Sequence, residues 1–89
     1  MKEIDQKILE QISSPFTREL GFRLLIETYQ KKVYHLIRHM VLIHEDADDL
    51  TQNTFIKAYR YLAKFEGNSS LFTWLYRIAT NETLTFLKK

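Results

Sequence analysis

The sequence predicts an all-α protein: a compact helical bundle of three core helices with a short N-terminal helix in front of them. Three observations predict it. The 89 residues include only two glycines and one proline, too little turn chemistry for many short strands but enough uninterrupted chain for a few long helices. Apolar residues recur every three or four positions through most of the chain, the period of a helix buried along one side. The composition is 45% hydrophobic and 27% charged, that of a folded globular domain rather than a disordered segment. The length suits one domain, read as an N-terminal helix and turn over 1–15 and a main unit over 16–89.

The first helix carries Ile4, Ile8, Leu9 and Ile12 as its apolar stripe and stops at Ser13-Ser14-Pro15. Ser14 is the expected N-cap of the next helix and Pro15 fits its first turn, where a missing N–H costs nothing. That second helix is expected from about Phe16 to Leu42, with Phe16, Leu20, Leu24, Tyr29, Val33, Leu36, Ile37 and Met40 facing inward. Gly21 within it costs about 1 kcal/mol against alanine, so this end is expected to bend or begin late. The third helix should start near Asp46, with Asp46 as N-cap and Asp49 three positions on in a capping-box arrangement. Its inward stripe is Ala47, Leu50, Thr54, Ala58 and Leu62, and acids at its start with Lys57, Arg60 and Lys64 at its end complement the helix dipole. A polar loop, Glu66-Gly67-Asn68-Ser69-Ser70, separates it from a fourth helix at about Leu71–Lys88. The buried side of that helix is Leu71, Leu75, Ile78 and Ala79.

Composition also excludes function classes. There is no cysteine, hence no disulfide framework and no thiolate nucleophile or metal site. His35 and His39 have the spacing of two zinc ligands in a His-Glu-x-x-His site, but Leu36 stands where the general-base glutamate belongs and no third ligand is evident. They read as surface histidines, and His44 beside Glu45 and Asp46 reads the same way. Serines lie only in turns, without nucleophile-elbow glycines, and no glycine loop is built to cradle phosphate. No catalytic residue, metal or cofactor is expected. No stretch reaches the roughly 18 apolar residues of a membrane span, and the N-terminus lacks the apolar core of a signal peptide. A cytoplasmic protein without membrane contact is the expectation.

The net charge is only +2, but its distribution is uneven. Glu45, Asp46, Asp48 and Asp49 put four acids within five residues, whereas Lys57, Arg60, Lys64, Arg77, Lys88 and Lys89 follow against only Glu66 and Glu82. An acidic and a basic end on one small domain suggest two different partners. On the third helix Asp49, Gln52 and Asn53 share an outward face with Asp46 and Asp48 nearby, and Phe55 and Tyr59 add an aromatic edge. Carboxylates and amides beside apolar contact are suited to a protein partner. From Lys64 onward a polar loop is flanked by aromatics and followed by a helix with Thr73, Tyr76, Arg77, Thr80, Asn81, Thr85 and Lys88 on its polar side. Aromatics stack unpaired bases, amides and hydroxyls read base edges, and Arg and Lys hold phosphates. A small-residue loop can also close around an extruded base. For Trp74 and Leu75 a core role is the better reading.

Two runs carry a family resemblance: Asp46-Ala-Asp-Asp-Leu-Thr-Gln-Asn-Thr-Phe followed by Ala58-Tyr59-Arg60, and Phe65-Glu-Gly-Asn-Ser-Ser followed by Thr73-Trp-Leu-Tyr-Arg-Ile-Ala-Thr-Asn81. With Tyr29 and the helix around it, the chain over 16–89 resembles region 2 of bacterial sigma factors, most closely the extracytoplasmic-function (ECF) group of the sigma-70 family. The resemblance implies a transcription-initiation domain that binds core RNA polymerase through the clamp helices of its largest catalytic subunit. Asp49, Gln52 and Asn53 would be the central contacts, with Asp46, Asp48 and Phe55 around them. It also implies recognition of the promoter −10 element as melted non-template single strand, with one flipped base held by the loop. Lys64, Phe65, Asn68, Ser69, Ser70 and Phe72 would line or border that pocket. Thr73, Arg77, Asn81, Thr85 and Lys88 on the fourth helix would meet neighbouring bases and phosphates. Asn53 stands where the family often has Glu or Asp, and Thr85 where many relatives have Asp or Asn.

ECF factors carry a second domain for the −35 element, and this chain stops at Lys89, so it is expected to be one domain of a longer factor. An anti-sigma protein is a further partner the resemblance implies. The competing reading is a generic helical protein-interaction module without DNA specificity. The basic-aromatic loop and Asn81 argue against it.

Overall fold

The computed structural model describes residues 2–89. Among them are four α-helices and no strand: α1 (Glu3–Ser13), α2 (Arg18–Arg38), α3 (His44–Tyr61), a single 3-10 turn (Leu62–Lys64), and α4 (Leu71–Leu87). The longest helix, α2, is the spine on which α1, α3 and α4 all pack, and α3 and α4 also pack on each other. The described chain measures 38 × 23 × 21 Å.

The buried stripes follow the helical period. Leu25, Tyr29, Val33 and Ile37 form a single i+4 row on α2, and Leu71, Leu75, Ala79 and Thr83 a second on α4. Between them α3 contributes Ala47, Leu50, Thr54 and Ala58, with Leu62 just beyond its end, the five positions expected from the sequence. Buried threonines do not leave their hydroxyls stranded: Thr51, Thr54 and Thr83 donate to the carbonyls of Ala47, Leu50 and Ala79 four residues back, at 2.7–2.8 Å. That is the way a helix interior satisfies a hydroxyl away from water.

The N-terminal half of α2 differs from expectation. It begins at Arg18 rather than Phe16, and Ser14 is not its cap. Residues 14–17 instead form a turn in which the Thr17 N–H donates to the Ser14 carbonyl, while the Ser14 hydroxyl accepts from the Phe16 N–H. Thr17 and Arg18 reach back across the turn and donate to the carbonyls of Gln11 and Ile12, satisfying the C-terminal end of α1. Phe16 is 95% exposed and Leu20 is also exposed, and Phe22 and Leu25 take the inward positions. The physical reason is Gly21. A Cβ there would sit 2.6 Å from Ile12 Cγ1 and 2.9 Å from the Ile12 backbone nitrogen, so α1 crosses α2 directly on this glycine. The crossing turns the Gly21–Phe22–Leu25 side inward.

Two further helix ends moved. α2 stops at Arg38, not Leu42, where the Arg38 guanidinium donates to the Val41 carbonyl at 2.8 Å and closes the turn. α3 starts at His44, with Ile43 at the cap position and no side-chain capping bond. Asp46 is therefore in the first turn and makes no capping box with Asp49. Glu45 and Asp46 complement the positive helix end by charge alone. In contrast, α4 is capped by side chain: the Ser70 hydroxyl oxygen accepts from the Thr73 N–H at 3.1 Å.

Candidate functional site

The polar residues singled out in the sequence lie on two separate surfaces. The first is on α3. Asp49, Gln52 and Asn53 are exposed, and their side chains make no hydrogen bond or ion pair among the described residues. Asp48 is engaged: its carboxylate meets His44 Nε2 at 3.1 Å, and His44 Nδ1 is hydrogen-bonded to the Tyr34 hydroxyl. This relay ties the first turn of α3 to α2 and holds the Asp48 carboxylate at the edge of the acidic face. Asp46 is half-buried. Phe55 is not part of an outward aromatic edge as expected. It is only 7% exposed and belongs to the core.

The apolar element of this surface comes from Tyr59, as expected, and from Ile56, which the sequence expectation did not include. Ile56 is 57% exposed, and its position four after Gln52 and three after Asn53 puts it on their face. Tyr59 is 58% exposed, and its ring packs at 4.5 Å between centroids on Phe22 of α2. Between the two helices runs an apolar groove of about 520 Å³, floored by Phe22, Ile26 and Phe55 and rimmed by Gln52, Ile56 and Tyr59. The helical spacing of Ile56 was a usable sequence signal. The contribution of Phe22 and Ile26 was not, because it depends on how α2 is rotated.

The second surface comprises the loop before α4 and the exposed side of that helix. Gly67 takes a φ of +78°, a left-handed conformation that side chains with a Cβ resist. It turns the chain so that Asn68 and Ser69 sit at the loop tip, where the Asn68 amide donates to Glu66 at 3.3 Å. Phe65 packs against Trp74 at 5.5 Å, and the Lys64 ammonium lies 5.7 Å from the Tyr61 ring. Ser70 and Thr73 have a structural task, since Ser70 accepts from the Thr73 N–H and donates to its hydroxyl at 2.8 Å. Phe72 is partly buried and held on three sides. Tyr29 stacks on it at 5.7 Å, Tyr76 meets it edge-on at 6.3 Å, and the Lys32 ammonium stands 5.6 Å from its centroid. Lys32 lies forty residues upstream of Phe72, and nothing local in the sequence pointed to it.

Farther along α4, Arg77, Asn81 and Thr85, and Lys88 just past its end, are exposed, and their side chains have no partner among the described residues. The one acid on this helix, Glu82, turns to α3 and pairs with Lys57 at 2.7 Å. Its charge is thereby kept off the Arg77–Asn81 side. Beneath the surface, the Tyr29 hydroxyl donates to the buried Asp5 carboxylate of α1. Burial, and then the hydrogen bond and charge of Asp5, push the phenol well above its ordinary range, so it stays a donor. His35 and His39 are exposed and belong to no cluster of potential metal ligands among the described residues. No described helix is long and apolar enough to cross a membrane.

Comparison with known proteins gives this arrangement its context. The sigma-70 region 2 family model matches residues 25–89. The chain is 44% identical over 80 residues to the RNA polymerase sigma-H factor of Pseudomonas aeruginosa, covering 90% of this chain and 40% of that protein. It is 41% identical over 83 residues to the ECF RNA polymerase sigma-E factor of Escherichia coli K12, covering 93% of this chain and 42% of that protein. The chain thus spans about two-fifths of the length of these curated relatives. Among solved structures it matches an NMR structure of an engineered region 2 of sigmaE in complex with GTAAAA. The TM-score is 0.81 at 39% sequence identity, over 98% of this chain and 90% of that one.

Proposed function

The chain belongs to the sigma-70 region 2 family, and from that premise we propose that it acts in transcription initiation by joining two macromolecules through two faces. The α3 face binds the clamp helices of core RNA polymerase. Asp49, Gln52 and Asn53 offer carboxylate and amide oxygens to cationic and N–H groups of the partner, Asp46 and Asp48 add charge at its edge, and Ile56 and Tyr59 provide the apolar contact. The second face takes the −10 non-template strand after melting. One base leaves the stack and enters the pocket formed by the loop over 65–70, bordered by Lys64, Phe65 and Phe72. Asn81 and Thr85 present hydrogen-bonding groups to neighbouring bases, and Arg77 and Lys88 hold phosphates.

The domain performs no bond chemistry. It makes the melted strand the better-bound form, and binding energy from loop and helix offsets the few kcal/mol that unstacking costs. The observation that carries this reading is the segregation of side chains without internal partners, acids and amides on α3 and Arg77 with Asn81 on α4, over a core that needs neither set. It is supported by the likeness to a region 2 of sigmaE solved with GTAAAA. An anti-sigma protein is a further partner of this reading, one that would compete by covering either face.

Fluorescence anisotropy with single-stranded oligonucleotides tiled over candidate −10 sequences tests the reading directly. Sequence-selective binding is expected, weakened by Asn81→Ala or by shortening the loop at Asn68–Ser70, with polymerase binding intact. Asp49→Ala with Gln52→Ala should do the reverse. Parallel loss of both activities in both variants, or absence of selectivity, would leave the generic interaction module as the better description.

A further inference from the structure

Asp5 is 0% exposed, and only one of its carboxylate oxygens is used: Oδ1 accepts from the Tyr29 hydroxyl, while Oδ2 is buried without a partner among the described residues. A buried carboxylate with an oxygen left unsatisfied opposes folding. If tying α1 to α2 were its whole task, a packed apolar pair would do it better. What the pair does accomplish is to hold the Tyr29 ring, whose hydroxyl is bound at one point by a carboxylate buried in the core. The other face of the matter lies 5.7 Å away, where the same ring stacks on Phe72, two residues past the Ser70 cap. Phe72 borders the loop and is further confined by Tyr76 and Lys32. A chain of contacts therefore runs from α1, which lies outside the residues matched by the family model, through Tyr29 to Phe72 at the edge of the proposed strand-binding site.

We propose that Asp5 is a positioning residue for base capture: through Tyr29 it sets the ring of Phe72 against which the flipped base is received. The proposal rests on the strand-binding reading above and adds to it a residue of α1 that touches no nucleic acid. A fixed wall spares the complex the cost of ordering that ring when the base enters. The tie has to be hydrogen-bonded rather than apolar because a hydroxyl-to-carboxylate bond is directional and defines the ring's placement, whereas dispersion contacts tolerate sliding.

The test compares wild type with Asp5→Asn, Tyr29→Phe and the double variant Asp5→Leu/Tyr29→Phe. The probes are the fluorescein-labelled strand bound tightest in the tiled panel and versions of it with an abasic site at each position in turn. Asp5→Asn keeps an acceptor for the Tyr29 hydroxyl and should bind as wild type. The double variant should melt at or above the wild-type temperature yet bind the intact strand about five- to tenfold more weakly, the cost of ordering one side chain on binding. That loss should vanish when the captured base is the one removed. A purely structural role would move the melting temperature and would weaken intact and abasic strands alike. A folded double variant with wild-type affinity, or equal losses on both kinds of strand, overturns the proposal. Should the double variant fail to fold, Tyr29→Phe carries the same binding expectation against Asp5→Asn, read from intact against abasic strands, at a lower melting temperature because the buried Asp5 carboxylate loses its one partner. If wild type binds no strand in the panel, the strand-binding reading itself fails. If Asn81→Ala weakens binding while the Asp5 and Tyr29 variants do not, only the positioning role falls.

Discussion

Ser70 illustrates how one side chain can serve the fold and lie within the candidate site at once. Its hydroxyl both accepts from the Thr73 N–H and donates to the Thr73 hydroxyl, so Ser70→Ala should cost about 1 kcal/mol of stability, the usual value of a serine cap. Asn81, exposed and without an internal partner, should be replaceable by alanine with no measurable change in melting temperature. Thermal melts of the two variants beside strand-binding titrations separate a folding effect from a recognition effect. Tyr29 predicts a pH dependence. Its folded-state pKa is raised above the ordinary value of 10.0, so its contribution is fully present below about pH 10. Above that the unfolded chain releases the proton while the folded chain keeps it, and stability falls as pH rises. Urea midpoints between pH 9 and 11.5 should drop more steeply for wild type than for Tyr29→Phe.

At the scale of the element, the crossing of α1 over α2 depends on Gly21 having no side chain. Alanine would favour the helix by up to about 1 kcal/mol in propensity. The added methyl, however, would fall 2.9 Å from a backbone nitrogen and 2.6 Å from Ile12 Cγ1, and backbone cannot step aside as a side-chain end can. Gly21→Ala should therefore destabilise the protein by about 1–3 kcal/mol, as overpacking does. Hydrogen exchange should rise first in α1, the displaced helix. The α3–α4 pairing has its own polar tie in Lys57–Glu82, with the glutamate largely buried and the lysine half exposed. Glu82→Gln should leave the fold intact. It leaves Lys57 unpaired close to α4 and is expected to strengthen single-strand binding slightly, a gain that added salt should erase.

Across the whole molecule, two faces that share a core but no residues should answer to different perturbations. Strand binding should weaken with salt, because phosphate contacts release counterions, with a log–log slope of about −0.7 per contact on single strands. Arg77→Ala should make that slope shallower by roughly one contact, and Asp49→Ala/Gln52→Ala should leave it unchanged. Anisotropy titrations between 50 and 200 mM salt, a range over which such contacts are readily resolved, provide the check. A salt-independent wild-type affinity would count against the roles of Arg77 and Lys88.

Much of this was legible in the sequence because it is local. The inward stripe of α3, the loop over 66–70, Leu71, Leu75 and Ala79 of the α4 row (but not Thr83) and the outward grouping of Asp49, Gln52 and Asn53 all follow from helical period and side-chain polarity, which the chain carries within a few residues. The places where the reading departed from the structure are those where another helix decides. Asp46 has the right chemistry for a cap, but Ile43 occupies the cap position. Phe55 looked like the outward neighbour of Tyr59, but it packs into the core at the floor of the groove between α2 and α3. Phe16 and Leu20 matched an apolar period that the Gly21 crossing rotates away from the core. Lys32 and Asp5 connect to the candidate site only through space, by way of Phe72 and Tyr29. The sequence by itself determined an all-helical domain with an acidic-amide face and a basic-aromatic face, since period and polarity are written residue by residue. Only the tertiary structure decided which side of α2 is buried and what stands behind the loop. Those outcomes depend on the rotation and close approach of whole helices, energies that no short stretch of chain contains.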